Sequence, residues 1–241
     1  RDGDIFAIGY RSLNHLTSGL RNMAIGYETM KEHTTGADNI VIGYSAMDST
    51  QAGGTQTTSA GSIRNIFMGT NSGGGSWADA ASSYNVAIGY QTMDGVMNGA
   101  LENVALGDSA GGAVTSGDYN TLLGSASGNK ITAGSYNICI GKDTMFTATT
   151  VGKCIAIGYQ ALYTSNDTDE DGTVAIGYQA LNSLTDGQYN TGIGYLALTS
   201  ITTGDSNTAI GYGALDAGLA ATSSNVAIGV NAMGGSHANN T

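Results

Sequence analysis

An aliphatic residue followed by glycine returns thirteen times along this chain, and the intervals between the copies leave room for very few folds. The anchor glycines are Gly9, Gly26, Gly43, Gly69, Gly89, Gly107, Gly124, Gly141, Gly158, Gly177, Gly194, Gly211 and Gly229, spaced by 17, 17, 26, 20, 18, 17, 17, 17, 19, 17, 17 and 18 residues. The base period is therefore 17 and every departure lengthens it. A unit that short is too small for a pair of helices and cannot bury a face by itself, so copies must stack on one another.

The residues around the anchor behave as columns. One before it stands Ile in ten copies, with Met68, Leu106 and Leu123 in the rest (the Ile column). Two before it is mostly Ala, and three before it mostly a β-branched residue such as Val86, Val104 or Ile138 (the Ala and Val columns). Four before it is Asn in ten copies, among them Asn85, Asn103, Asn120, Asn137, Asn190, Asn207 and Asn225, the exceptions being Ile5, Cys154 and Thr173. Tyr follows the anchor directly in eight copies, and Leu or Met stands four after it in ten, with Gly73, Gly111 and Gly128 in the other three.

Val, Ile and Tyr lie two apart, the periodicity of a strand, which places them on one face and the smaller Asn, Ala and Gly on the other. Six copies carry a second glycine seven before the anchor in a Thr-x-Gly-x-x-Asn setting that reads as a turn. One period therefore predicts one clear strand, a turn, a weaker strand and a return. The expected fold is all-β: a parallel β-solenoid of about 13 rungs, stacked about 4.8 Å apart into a rod of roughly 60 Å. In it the Ile column would form the spine of a narrow core, and the Asn column an amide ladder from rung to rung. The absence of proline suits continuous backbone ladders.

Two readings of the small face stand side by side. Repeated Ala and Gly would let a neighbouring chain approach closely, predicting a parallel homo-oligomer with its axis along the rod. Alternatively, small residues simply fit inside a tight coil.

The repeats carry a resemblance. Asn-Val-Ala-Ile-Gly, at Asn85 to Gly89 and Asn225 to Gly229, resembles the head repeats of trimeric autotransporter adhesins. The longer phrase from Tyr189 to Leu198, Tyr-Asn-Thr-x-Ile-Gly-Tyr-x-Ala-Leu, is similar to repeats in the tail fibres of viruses that infect microbes, which often precede a self-cleaving chaperone domain. The resemblance implies a homotrimeric, left-handed β-roll serving as a fibre or adhesin. It covers nearly the whole chain. The period of 17 is longer than in autotransporter heads, the copy from Arg64 to Gly73 is degenerate, and no chaperone sequence is present.

Divided by regularity, residues 1–47 are solenoid rungs, 48–84 a degenerate rung with Gly-, Ser- and Thr-rich insertions, and 85–241 rungs again. Anchors so near both ends suggest flanking domains in a longer fibre, because solenoids need capped terminal rungs.

Charge removes other classes. With 8 Lys and Arg against 19 Asp and Glu and no basic cluster, neither nucleic acid nor an anionic membrane surface is an expected partner. Apolar runs fall short of the ~20 residues of a spanning helix. Cys139 and Cys154 are too few for a disulfide framework and read as packed thiols. The three histidines are scattered, so they make no metal site.

Insertions hold the candidate sites, since they project from a rod. Trp77, the only tryptophan, lies in one of them and could stack on a sugar or a receptor, or pack against the rod. Asp167, Asp169, Asp171 and Gly172 follow the opening of a calcium loop, but Tyr178 stands where its last ligand should be. That leaves a partial Ca²⁺ site or a solvated acidic turn. No catalytic set stands out, so the chain reads as a non-enzyme: a stiff rod of a virion tail fibre supporting attachment to a host surface glycan or protein. A bacterial surface adhesin and a monomeric ice- or surface-binding solenoid are the alternatives. The last would need a flat, regular column of exposed Thr.

Overall fold

The structure is a computed structural model, described here for residues 3–50, 61–165, 171–217 and 220–234. It is a β-solenoid. Thirteen strands of three residues each, one per repeat, form a single parallel sheet in strict chain order. They are β1 (Phe6–Ile8), β2 (Met23–Ile25), β3 (Ile40–Ile42), β4 (Ile66–Met68), β5 (Val86–Ile88), β6 (Val104–Leu106), β7 (Thr121–Leu123), β8 (Ile138–Ile140), β9 (Ile155–Ile157), β10 (Val174–Ile176), β11 (Thr191–Ile193), β12 (Thr208–Ile210) and β13 (Val226–Ile228). The repeat's columns are the sheet's register: Ile176 pairs with Ile157 on one side and Ile193 on the other. The degenerate copy keeps that register, with Ile66 of β4 between Ile40 and Val86. Among the described residues no helix is long and apolar enough to cross a membrane.

The weaker second strand is absent from the described residues. Rungs still bond to each other along that side, but the bonds are doubled up rather than laddered: the N–H groups of both Thr17 and Ser18 donate to the Thr34 carbonyl, and those of Thr185 and Asp186 to Thr202. Two successive amides converging on one oxygen cannot alternate as a strand requires.

Which face lines the interior reverses the expectation from sequence. The Ala column is buried, with Ala24, Ala87, Ala105, Ala156, Ala175 and Ala209 fully enclosed. So are the Leu column (Met30, Met47, Met93, Met145, Leu162, Leu181, Leu198) and the Asn column. The Ile column faces outward. Ile8, Ile88, Leu106, Ile210 and Ile228 are exposed, as is the Tyr column beside them. The core is thus mostly a stack of Ala, Leu or Met, and Asn, with the centre filled from the turn rather than from the Ile column.

Inside the coil, the Ala and Leu columns trade volume. Where the Leu column holds Gly73, the Ala column holds Phe67, and where it holds Gly128 the partner is Leu122, which also fills the space at Gly111 one rung earlier. Where the Ala column shrinks to Gly192, Leu181 lies against it. Native packing density leaves no other option, because a gap of even one methylene is felt.

The bends come from backbone that few sequences adopt. Among the described residues thirty-three other than glycine have φ between 44° and 64°, chiefly two and four after the anchor and five before it. The anchors need glycine for two reasons: Gly177 has a φ of 138°, and a Cβ there would run into the carbonyl oxygen of Gly194 on the next rung.

Candidate functional site

The Asn column forms the expected ladder. Asn120 donates both its backbone N–H and its Nδ2 to Asn103 Oδ1, at 3.0 Å each, and Nδ2 also donates to the Gly134 carbonyl at 2.8 Å. The ladder runs unbroken from Asn22 to Asn137 and resumes at Asn190. Between them it is interrupted, because Cys154 offers only its backbone N–H to Asn137 Oδ1. Both cysteines are buried and unbridged, as expected, and burial pushes the Cys139 thiol far up.

Trp77 is a correction. It is fully buried, its Nε1–H donates to the Gly73 carbonyl at 2.8 Å, and its ring meets Phe67 edge-on at 5.8 Å. No ligand can reach it: it packs on Phe67, the residue that takes the room left by the missing Leu-column side chain at Gly73. Asp167 and Asp169 lie outside the described residues. Asp171 is committed to the fold, accepting from the Gly152 N–H at 3.0 Å and pairing with Lys153 at 3.1 Å. Asp118 and Asp205 hold backbone amides from the same place in their rungs. Among the described residues no group of three or more His, Cys, Asp or Glu could hold a metal.

What remains uncovered is the outer strand face. Its Val and Ile columns contain nothing more polar than threonine over all thirteen rungs. The Tyr column flanks them, with Tyr10, Tyr27 and Tyr44 stacked at 5.2 and 5.1 Å, and Tyr159, Tyr178, Tyr195 and Tyr212 at 5.3, 4.9 and 5.1 Å. Thirteen rungs by three alternating columns make a stripe on the order of 800 Å². That exceeds the largest apolar patch of most monomers, 300–600 Å². It is also about one partner's share of a standard protein interface. Alternation signalled this face in the sequence, and that it points out agrees with the second reading of the small face, Ala and Gly fitting inside a tight coil.

Comparisons with family models, with curated proteins and with solved structures returned no match.

Proposed function

We propose that this chain is a segment of a viral attachment fibre: a stiff rod in which three copies meet in parallel through the Val, Ile and Tyr columns. The observation that carries the reading is the outward-facing Val and Ile columns, which hold nothing more polar than threonine over all thirteen rungs. An in-register neighbour would face it column to column, so each Ile would meet an Ile and no charge would be buried. The polar breaks in the Tyr column, Thr70, Asp108, Ser125 and Lys142, lie at the stripe's margin, where an interface is normally wet. The close-approach interpretation of the Ala face has no role in this assembly, since that face is filled by the chain's own core.

The resemblance of the repeats favours a virion surface over a bacterial one, and a downstream membrane-anchoring β-barrel would reverse that preference. Ice binding is disfavoured by the threonines: the hydroxyls of Thr17, Thr115, Thr132 and Thr185 donate to carbonyls of the next rung instead of facing solvent as a flat array.

The test is the solution mass by light scattering, in units of the 24.3 kDa chain. Three units are expected, and Ile176→Glu should dissociate them while the β-sheet circular dichroism persists. A folded single unit for the unaltered chain would overturn the proposal.

A further inference from the structure

Along the turn that follows the strand, side chains two, five and six after the anchor normally close against their neighbours. Lys31 pairs with Glu28 at 3.3 Å, Gln179 donates to Gln160 at 2.9 Å, and Phe146 stacks on Tyr163 at 5.4 Å. At the rungs of Gly89, Gly107 and Gly124 this closure fails. Gly112 brings no side chain and Ser109 a short one, which opens a notch of about 230 Å³ spanning the three rungs.

Gln91 and Asp94 stand on one side of the notch, Asn129 and Lys130 on the other. Asn129 is fixed by its own bond, Nδ2 to the Ser109 carbonyl at 2.9 Å. Asp94 is half-buried, with a carboxylate oxygen over Gly74, whose amide bonds to it. Among the described residues neither Asp94 nor Lys130 makes an ion pair, although both line the same space. The notch therefore holds a carboxylate and an ammonium that make no ion pair among the described residues, two amides and a hydroxyl, with only Gly112 and Ala113 between them.

We propose that this notch binds one sugar ring of a surface glycan. A sugar hydroxyl is at once a donor and a double acceptor. Neighbouring hydroxyls on a ring are matched by the interleaved acceptors and donors: Asp94 and Asn129 Oδ1 accept, while Lys130 and the Gln91 amide donate. A simple anion would meet the Asp94 charge, and a simple cation Lys130. Gly74 lies one rung to one side of Asp94 and Gly112 one rung to the other, leaving a shallow path along the rod for the rest of a glycan. The notch is off the apolar strand face, so assembly of the rod leaves it open. That the sugar comes from a host surface rests on the attachment reading; the binding itself does not.

The experiment is saturation-transfer NMR on the full chain with methyl glycosides of glucose, galactose, mannose and N-acetylglucosamine, and with free glycine as a zwitterionic control. At least one glycoside should show saturable transfer, and glycine none. Asp94→Asn and Lys130→Gln should each weaken it at least tenfold. Gly112→Gln should abolish it by filling the notch; a Cβ there lies 2.8 Å from Asn129 Nδ2 and 3.3 Å from the Ser109 carbonyl, so the Asn129 amide must shift from its bond to Ser109 to admit it. Lys142→Gln, outside the notch, should change nothing. Absence of transfer from every glycoside, transfer from glycine alone, or transfer that survives both Asp94→Asn and Gly112→Gln would each overturn the proposal. Light scattering of the same samples reports separately on the rod.

Discussion

Asn207 gives two hydrogen bonds to one atom of Asn190: its backbone N–H and its Nδ2 both reach Asn190 Oδ1 at 3.0 Å. Repeated along the coil, this doubled donation ties each rung to its neighbour by a side chain wholly inside the core. A buried amide is costly when unpaired and specific when fully paired, so the column fixes rung register as well as adding stability.

The ladder can be cut or mended. Asn120→Ala orphans the Gly134 carbonyl and the Asn137 N–H, each worth about 1–3 kcal/mol when buried without a partner. Denaturation should show a loss of at least about 2 kcal/mol. Cys154→Asn should act in the opposite direction and stabilise by about 1 kcal/mol, because a new Nδ2 can reach Asn137 Oδ1. Destabilisation by Cys154→Asn would mean that the interruption is imposed by packing.

The volume exchange between Leu122 and Gly128 predicts a rescue. Leu122→Ala alone should cost about 3 kcal/mol through the cavity it leaves. Gly128→Leu alone should also destabilise, since a Cβ at Gly128 already lies 2.7 Å from a Leu122 methyl. The double change recreates the pairing seen at Ala156 and Leu162, whose backbone takes Leu at a φ of 52°. It should recover most of both losses in a double-mutant cycle.

Among the anchors, position along the rod should set the penalty. Gly177→Ala adds a Cβ against the Gly194 carbonyl and should cost several kcal/mol or prevent folding. Among the described residues a Cβ at Gly229 meets nothing nearer than Ala232 at 3.9 Å, so in this chain Gly229→Ala bears the strain of its φ of 124°. That strain is worth about 1–3 kcal/mol. Equal losses at the two sites, measured by thermal denaturation, would show that conformation rather than rung contact makes glycine necessary.

Acid sensitivity should centre on His33. It is fully buried, its Nδ1 has no hydrogen-bond partner among the described residues, and burial lowers its pKa from 6.5 to about 4. Below pH 6.5 the unfolded chain takes up a proton that the folded chain refuses, so stability falls from there to about pH 4 and then levels off. The full effect is about 3 kcal/mol. Asp94 works against it: burial raises its pKa to about 6, so the folded chain gains a proton more easily and stability rises as pH falls through that value. His33→Leu should remove the acid loss and leave only the opposing trend in denaturation midpoints between pH 7 and 4.

By itself the sequence determined the period, the all-β class, the parallel register and the Asn ladder. Each follows from local chemistry repeated at a fixed interval, and any stacking of identical rungs brings identical columns together. Tertiary structure alone decided which face lies inside. Alternation separates Val, Ile and Tyr from Asn, Ala and Gly, but a period of two carries no sign, and the usual rule that large apolar residues go inward pointed the wrong way. The sign comes from the bends. Residues such as Gln160 and Leu162, with φ of 52°, turn the chain so tightly that a small residue fits behind the strand while Leu fills the centre from the turn, and neither residue announces a left-handed conformation. Trp77 and the notch at Asp94 were illegible for the same reason. The missing Leu at Gly73 stood in the sequence, but the packing of Trp77 on Phe67 beside it, and the notch that Gly112 opens between Asp94 and Lys130, become visible only when rungs lie one above another.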